Sequence, residues 1–532
     1  MRRPGFLVGA LVSALLTVVL LALLFFIHAL TGLPFIPFAI FDGFSRILPG
    51  SLVTRGIDTM VAAIRALHLG ETSTVAKLAE QTLAIFGCFL TGTIAGGLFF
   101  RVLRGRERRL WLAYGLLTGG VLGVVLAAIA AIGRIQANAP WVGLALWVLL
   151  VFLAWGAALG ALHHRLTQPW PARAGETERV DRRRFLLRFA TMAAGVALGA
   201  TALGAILSRL LRPRHAQGTP WSATHPLPNA NARVVPAAGT RHEFTPVEDH
   251  YRIDINTIPP QVDADSWRLK VSGLVSQPRE FTLGQLQAFP SLDQFITLSC
   301  ISNPLGGDLI STTRWTGVSL QHLITRFALL PQATHLRLHS VDGFHEVIAL
   351  DLIRSDPRIM LTYAWDGLPL EDKHGFPLRI YIPDHYGMKQ PKWIESIEAI
   401  DAWQPGYWVS RGWDRDARMK ATSVIDTVSS DMMIIEPGEQ KTVPIGGIAH
   451  AGARGISRVE VRVDDGPWQP ALLRDPLSST TWVLWRYDWP FTPGRHTFTV
   501  RCFEADGTPQ IEADAPIRPS GASGLHSVTQ VL

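Results

Sequence analysis

Five long apolar runs fill most of the first 211 residues, and they decide what the chain can fold into: residues 6–30, 81–103, 110–133, 141–162 and 189–211. A helix needs about 20 apolar residues to cross a bilayer, and each run is that long. Inside lipid the backbone finds no water to bond, so such runs must be helices. The first run follows Arg2 and Arg3 as a signal peptide would. It is longer than a signal's apolar core and no small-residue cleavage site follows, so it reads as a span. A mean hydropathy of +0.20 fits a chain that is partly embedded. The net charge of +7 does not point to nucleic acid. Many of the basic residues stand beside the apolar runs, as in membrane proteins.

Those arginines also predict the topology. Arg2 and Arg3 precede the first run; Arg101, Arg104, Arg106, Arg108 and Arg109 join the second to the third. Arg165, Arg173, Arg179, Arg182, Arg183, Arg184 and Arg188 join the fourth to the fifth, whereas the linker between the third and fourth holds only Arg134. Arginine-rich loops stay in the cytoplasm. The expected protein is therefore a multi-pass inner-membrane protein with a cytoplasmic N-terminus. Everything after residue 211 lies outside, as does a loop at residues 31–80. The segment DRRRFLLRF (181–189) is similar to a twin-arginine export signal, with Arg188 where a lysine is usual. The histidines nearest the runs, His28, His68, His163 and His164, form no pair at one depth, so no haem is expected. Glycine-rich stretches such as GLLTGGVLG predict close helix packing.

Residues 212–240 read as a Pro-, Ala- and Asn-rich tether. Over residues 241–428 short strand-like runs (WRLKVSGLV, FITLSC, THLRLHSV, LRIYIP, IESIEAI) mix with helical stretches, an α+β pattern. From residue 429 to the end, apolar and polar residues alternate between closely spaced turns, as in a β-sandwich of about seven strands. Three cysteines, far apart, give neither a disulfide framework nor a metal knuckle. Cys88 and Cys502 read as buried bystanders.

Cys300 is different. FITLSCISNPLGG puts its sulfur at a strand end before a turn, and STTRWTGVSL follows. A thiolate is a soft ligand for a redox-active metal. Downstream runs KHGFPLRIYIPDHYGMKQPKW (373–393). Together, Cys300, Asn303, Arg314, Trp315, Gly317, the His-Gly-Phe-Pro-x-Arg stretch and the later Lys-Trp resemble the molybdenum domain of the sulfite oxidase family. The resemblance covers roughly residues 244–510 and leaves out the spans. It implies a molybdenum–molybdopterin cofactor with Cys300 as the metal ligand. It also implies that His374, Arg379, Gln390 and Lys392 hold the pterin, with Tyr251, Arg252, Ser340 and Asp342 as further wall positions. The C-terminal domain would be immunoglobulin-like and form a homodimer contact.

The substrate side departs from the family. Where sulfite oxidases carry an anion-gripping arginine five residues after the cysteine, this chain has Leu305. The position of the family's tyrosine is matched by Trp413, and a second anion-binding arginine by Arg454. An apolar residue in place of a cation removes roughly 1.5–3 kcal/mol of charge-assisted binding. The expected activity is therefore two-electron oxygen-atom transfer on a small substrate that is not strongly anionic, such as a sulfoxide. An external electron carrier or quinone would be the redox partner, and membrane lipid surrounds the spans. The alternative is a membrane-tethered binding protein of the same fold without activity.

Overall fold

A computed structural model describes residues 4–105, 110–136, 141–168, 178–210, 218–434 and 441–532. The chain divides into two compact units.

The first unit holds the helices α1 (Phe6–Thr31), α2 (Ile36–Ile47), α4 (Thr72–Val102), α5 (Trp111–Gln136), α6 (Val142–Thr167) and α7 (Glu178–Leu210), with α3 (Gly50–Ala66) running from it into the second. Among the described residues, five helices are long and apolar enough to cross a membrane: Phe6–Thr31, Thr72–Val102, Trp111–Ile135, Val142–Thr167 and Arg184–Leu210. All five expected runs are among them, the second starting earlier than the sequence suggests. Residues 31–80 correct the reading as a loop. They contain α2 and α3, bent by 120° at a break beside Leu48 and Pro49. Ile36, Ile40, Phe44 and Ile47 recur at helical spacing, and Pro49 stops the first helix.

Close packing is built on glycine. A Cβ at Gly119 would lie 2.2 Å from the Phe152 carbonyl oxygen, and one at Gly156 2.3 Å from that of Gly115. Only glycine lets α5 and α6 approach so closely. At Gly96 of α4 a Cβ would meet the Ser13 side chain of α1 at 2.1 Å. In the fifth span Gly195 and Gly199 face open space, whereas a Cβ at Gly204 would lie 2.8 Å from the Phe25 ring of α1. His163 is buried edge-on to Phe100 and Phe99, at 4.8 and 5.6 Å. The side chains of Arg182 and Arg183 lie outside the described residues.

Residues 218–240, expected as a tether, are bonded into the second unit: Ser222 donates to Asp366 (2.6 Å) and Arg474 to the Val234 carbonyl (2.8 Å). Ten strands follow: β1 (Leu269–Gly273), β2 (Arg279–Phe281), β3 (Ser291–Ser299), β4 (Ile310–Ser319), β5 (His335–Ser340), β6 (His345–Ala349), β7 (Met360–Trp365), β8 (Leu368–Pro369), β9 (Arg379–Tyr381) and β10 (Ile394–Ile400). One sheet runs β2-β1-β10-β5-β6, and another β3-β4-β7-β8 with β9 also on β7. Leu269, Leu336, Leu338, Leu361, Ile380, Ile394 and Ile397, all fully buried, join the two sheets in one core.

Eight strands follow: β11 (Thr422–Val428), β12 (Thr442–His450), β13 (Ile456–Val463), β14 (Gln469–Pro470), β15 (Leu472–Leu473), β16 (Val483–Pro490), β17 (Arg495–Glu504) and β18 (His526–Val531). They form two four-stranded sheets, β11-β12-β16-β15 and β14-β13-β17-β18. Their inward residues, including Val443, Ile445, Val459, Val461, Trp485, Phe498, Val500 and Cys502, close a sandwich core. Membrane helices, an α+β domain and a β-sandwich are thus the fold class that the sequence indicates.

Candidate functional site

β3 and β4 form a hairpin in which Ser299 faces Ile310. The ten residues between them present Cys300. Its N–H donates to the Leu309 carbonyl (2.9 Å) and its carbonyl accepts from Asn303 (3.0 Å). The Asn303 side chain in turn accepts from the Leu309 N–H (3.0 Å), which pins the loop shut. The sulfur is buried, 3.0 Å from the Ser302 hydroxyl. Burial pushes the thiol's pKa up, with Ser302 opposing. A thiolate here needs a cation to hold it, as a bound metal would.

Beside Cys300 lies a buried basic enclave. Arg379 on β9 is buried over the Trp315 ring at 4.8 Å and donates to the His374 carbonyl (3.1 Å). Burial lowers its pKa to about 10. Lys392, just before β10, donates to Asp254 (3.3 Å) and to the Lys373 carbonyl (3.2 Å). Burial pulls it down to about 7, against the attraction of Asp254. Arg252 also pairs with Asp254, at 2.7 Å. Arg252 and Lys392 thus share the Asp254 carboxylate, with Arg379 nearby.

Two histidines line the same enclave, with ring centroids 5.4 Å apart. His250 is brought down to about 3 by burial, and His374 is lowered well below its usual value for the same reason. Both are neutral near pH 7. His250 Nδ1 donates to the Tyr251 carbonyl (3.1 Å), so Nε2 offers a lone pair. Among the described residues, His250 Nε2, His374 Nε2 and Trp315 Nε1 are buried without a hydrogen-bond partner. Unpaired buried polar atoms around excess positive charge fit an anionic ligand with ring donors and acceptors. Gly375 explains the glycine of His-Gly-Phe-Pro. Its φ is +109°, and a Cβ would lie 3.0 Å from that of Lys392.

The structure brings Cys300, Tyr251, His374, Arg379, Arg252 and Lys392 into this region. The buried Tyr251 packs in one cluster with Cys300, and its hydroxyl lies over Gly387. Ser340 ends β5 opposite Ile394, two residues past Lys392, and its buried hydroxyl has no partner among the described residues. Asp342 accepts from the Phe344 N–H (3.0 Å) in the next turn. Gln390 donates to the His385 carbonyl (2.8 Å), and its oxygen has no partner among the described residues. Trp413 packs with Ile301 and Tyr386 beneath the Arg518 guanidinium, 4.5 Å from its ring.

Arg454 departs from the expected substrate role. It bonds Asp384, Glu504 (2.6 Å) and the Met419 carbonyl (2.7 Å). Two carboxylates take its charge, so it clamps the sandwich to the α+β domain instead of presenting a free fork. Sequence reasoning passed over His250, Asp254 and Tyr386. His250 and Asp254 flank the Tyr251–Arg252 pair, and Tyr386 lies inside the quoted motif. Their roles depend on contacts that a linear pattern does not show.

Residues 256–408 match the model of the oxidoreductase molybdopterin binding domain. Mitochondrial sulfite oxidase of Macaca fascicularis is 27% identical over 334 residues, covering 54% of this chain and 61% of that protein. In this domain the chain is similar to the sulfite oxidases. Its cofactor is molybdenum carried by molybdopterin. The chain spans about three fifths of the length of the sulfite oxidases it matches. An Azospira oryzae protein named as a candidate protein-methionine-sulfoxide reductase subunit, YedZ1, is 30% identical over 155 residues, 29% of this chain and 56% of that protein. The solved sulfane dehydrogenase SoxCD of Paracoccus pantotrophus aligns with a TM-score of 0.48 at 19% identity, over 59% of this chain and 87% of that one.

Proposed function

We propose that the chain is a membrane-anchored molybdenum oxidoreductase. It transfers an oxygen atom, with two electrons, to or from a small substrate that is not strongly anionic. The buried Cys300 thiol beside a basic enclave with unpaired histidine nitrogens carries this reading. Cys300 would ligate the metal. Arg379, Lys392 and Arg252 would neutralise the cofactor's phosphate, while His250 and His374 would bond its rings. Tyr251, Ser340, Asp342 and Gln390 would complete the walls. When bound, the cofactor supplies a two-electron couple and oxygen-atom exchange.

The substrate preference follows from this chain's own residues. Leu305 offers no charge, Trp413 offers no hydroxyl, and Arg454 is neutralised by Asp384 and Glu504. A divalent oxyanion such as sulfite finds no free arginine at these positions. The name of the Azospira relative agrees with a sulfoxide, and we extend that substrate class to this chain only as part of the proposal.

The arginine distribution supports an outward-facing catalytic unit, exported folded through the segment around Arg182 and Arg183. Electrons would pass to or from an external carrier or a quinone at the spans, and the sandwich domain is the proposed homodimer contact. Metal analysis tests the core of the reading. Full-length protein from a pterin-competent host should contain about one molybdenum per chain, and Cys300→Ser should change its paramagnetic signal. A wild-type chain without molybdenum would sink the proposal and leave an inactive, tethered binding protein.

A further inference from the structure

A buried ion pair, Lys389 with Glu346, takes no part in the cofactor contacts described above. Lys389 ends the short helical turn Gly387–Lys389, in the segment that also carries Gln390 and Lys392. Its ammonium donates to the Glu346 carboxylate of β6 at 2.7 Å, and the two side chains are 7% and 0% exposed. A second N–H goes to the Arg415 carbonyl (3.1 Å), two residues past Trp413. Gly406 makes room for the carboxylate, since a Cβ there would lie 2.5 Å from both its oxygens. Such a pair is a poor source of stability. Two apolar side chains of similar volume do as well or better, because neither has to leave water as an ion. What the pair fixes is position: an ammonium bonded to a carboxylate and a carbonyl has one place to sit.

The turn it anchors meets the metal side at three points. Gly387 backs the Tyr251 hydroxyl, which would lie 3.2 Å from a Cβ at that position. Met388 packs in one cluster with Trp413 and with Ile301, the residue after Cys300. The Tyr386 N–H, just before the turn, donates to the Ala417 carbonyl (3.0 Å) and ties the turn to the Trp413 loop a second time. We propose that Lys389, held by Glu346, is a positioning residue for the metal centre. It sets the turn that supports Tyr251 and Ile301, and through the Arg415 carbonyl it fixes Trp413 beside them. The effect on a metal rests on Cys300 being the ligand; the ordering of the two loops does not.

Full-length protein in detergent tests this with Lys389→Arg and with the double variant Lys389→Met/Glu346→Met. In the cofactor-free double variant, hydrogen exchange in peptides spanning residues 384–392 and 411–419 should speed up by about tenfold. Its urea midpoint should equal or exceed that of wild type, which separates positioning from stability. After loading, the paramagnetic signal of the double variant should broaden or split. Lys389→Arg should keep the wild-type signal, because a guanidinium still donates to both acceptors. Unchanged exchange in both peptides would overturn the proposal, and so would faster exchange with an unchanged paramagnetic signal. If the double variant does not fold, the nearly isosteric Glu346→Gln decides on the same two readouts. A wild-type chain that never acquires molybdenum, with the expected exchange pattern, would overturn the oxidoreductase reading and uphold Lys389 as the anchor of the two loops.

Discussion

Lys392 gives the sharpest test of the basic enclave. Burial lowers it from 10.5 to about 7. At about 1.4 kcal/mol per pH unit, that gap amounts to roughly 5 kcal/mol by which folding disfavours the ammonium. The direction of the pH effect follows from proton counting. Between pH 7 and 10.5 the unfolded chain binds a proton that the folded chain does not, so stability rises with pH across this window. Below it both states are protonated and the full penalty applies. The cofactor-free protein should therefore gain about 2 kcal/mol of stability from pH 7 to pH 9. An anionic cofactor beside Lys392 reverses the situation, because it favours the ammonium and removes the slope. Lys392→Met should also remove the slope, and Asp254 stays paired with Arg252 at 2.7 Å in that variant. Urea unfolding in detergent, followed by tryptophan fluorescence at both pH values, reads this for apo, loaded and variant protein. The soluble domains should unfold first, since the spans stay in the micelle. A pH slope of the same size in the loaded protein, or in apo Lys392→Met, would refute the assignment of the enclave as the cofactor's anion site.

Three other outcomes follow from particular contacts. Arg454→Met leaves Asp384 and Glu504, both largely buried, without their shared partner; unfolding should show a loss of about 3 kcal/mol, with little change in KM. Gly375→Ala forces a Cβ to within 3.0 Å of Lys392 at a φ of +109°; the purified variant should retain several-fold less molybdenum than wild type. Leu305→Arg adds a cation to the loop after Cys300, and sulfate should inhibit this variant at about tenfold lower concentration than wild type.

The sequence showed the layers because each has its own periodicity. Continuous apolar runs can only be helices in lipid, and the alternation after residue 429 can only cover a sheet. Residues 31–80 escaped because α2 and α3 are short and interrupted by Pro49, so neither passes for a span by itself. At the site, Cys300, His374, Arg379 and Lys392 were legible because they stand in local motifs whose spacing survives without a fold. Arg454 shows the limit. An arginine at an expected position says nothing about whether its charge is free, and here Asp384, 70 residues earlier, and Glu504, 50 residues later, neutralise it. Local pattern therefore marks the cofactor side, where one segment supplies most of the contacts. The substrate side is assembled from distant segments, and there charge pairing determines which cation is left to bind. By that criterion Arg454, held by Asp384 and Glu504, is not free to grip an anion.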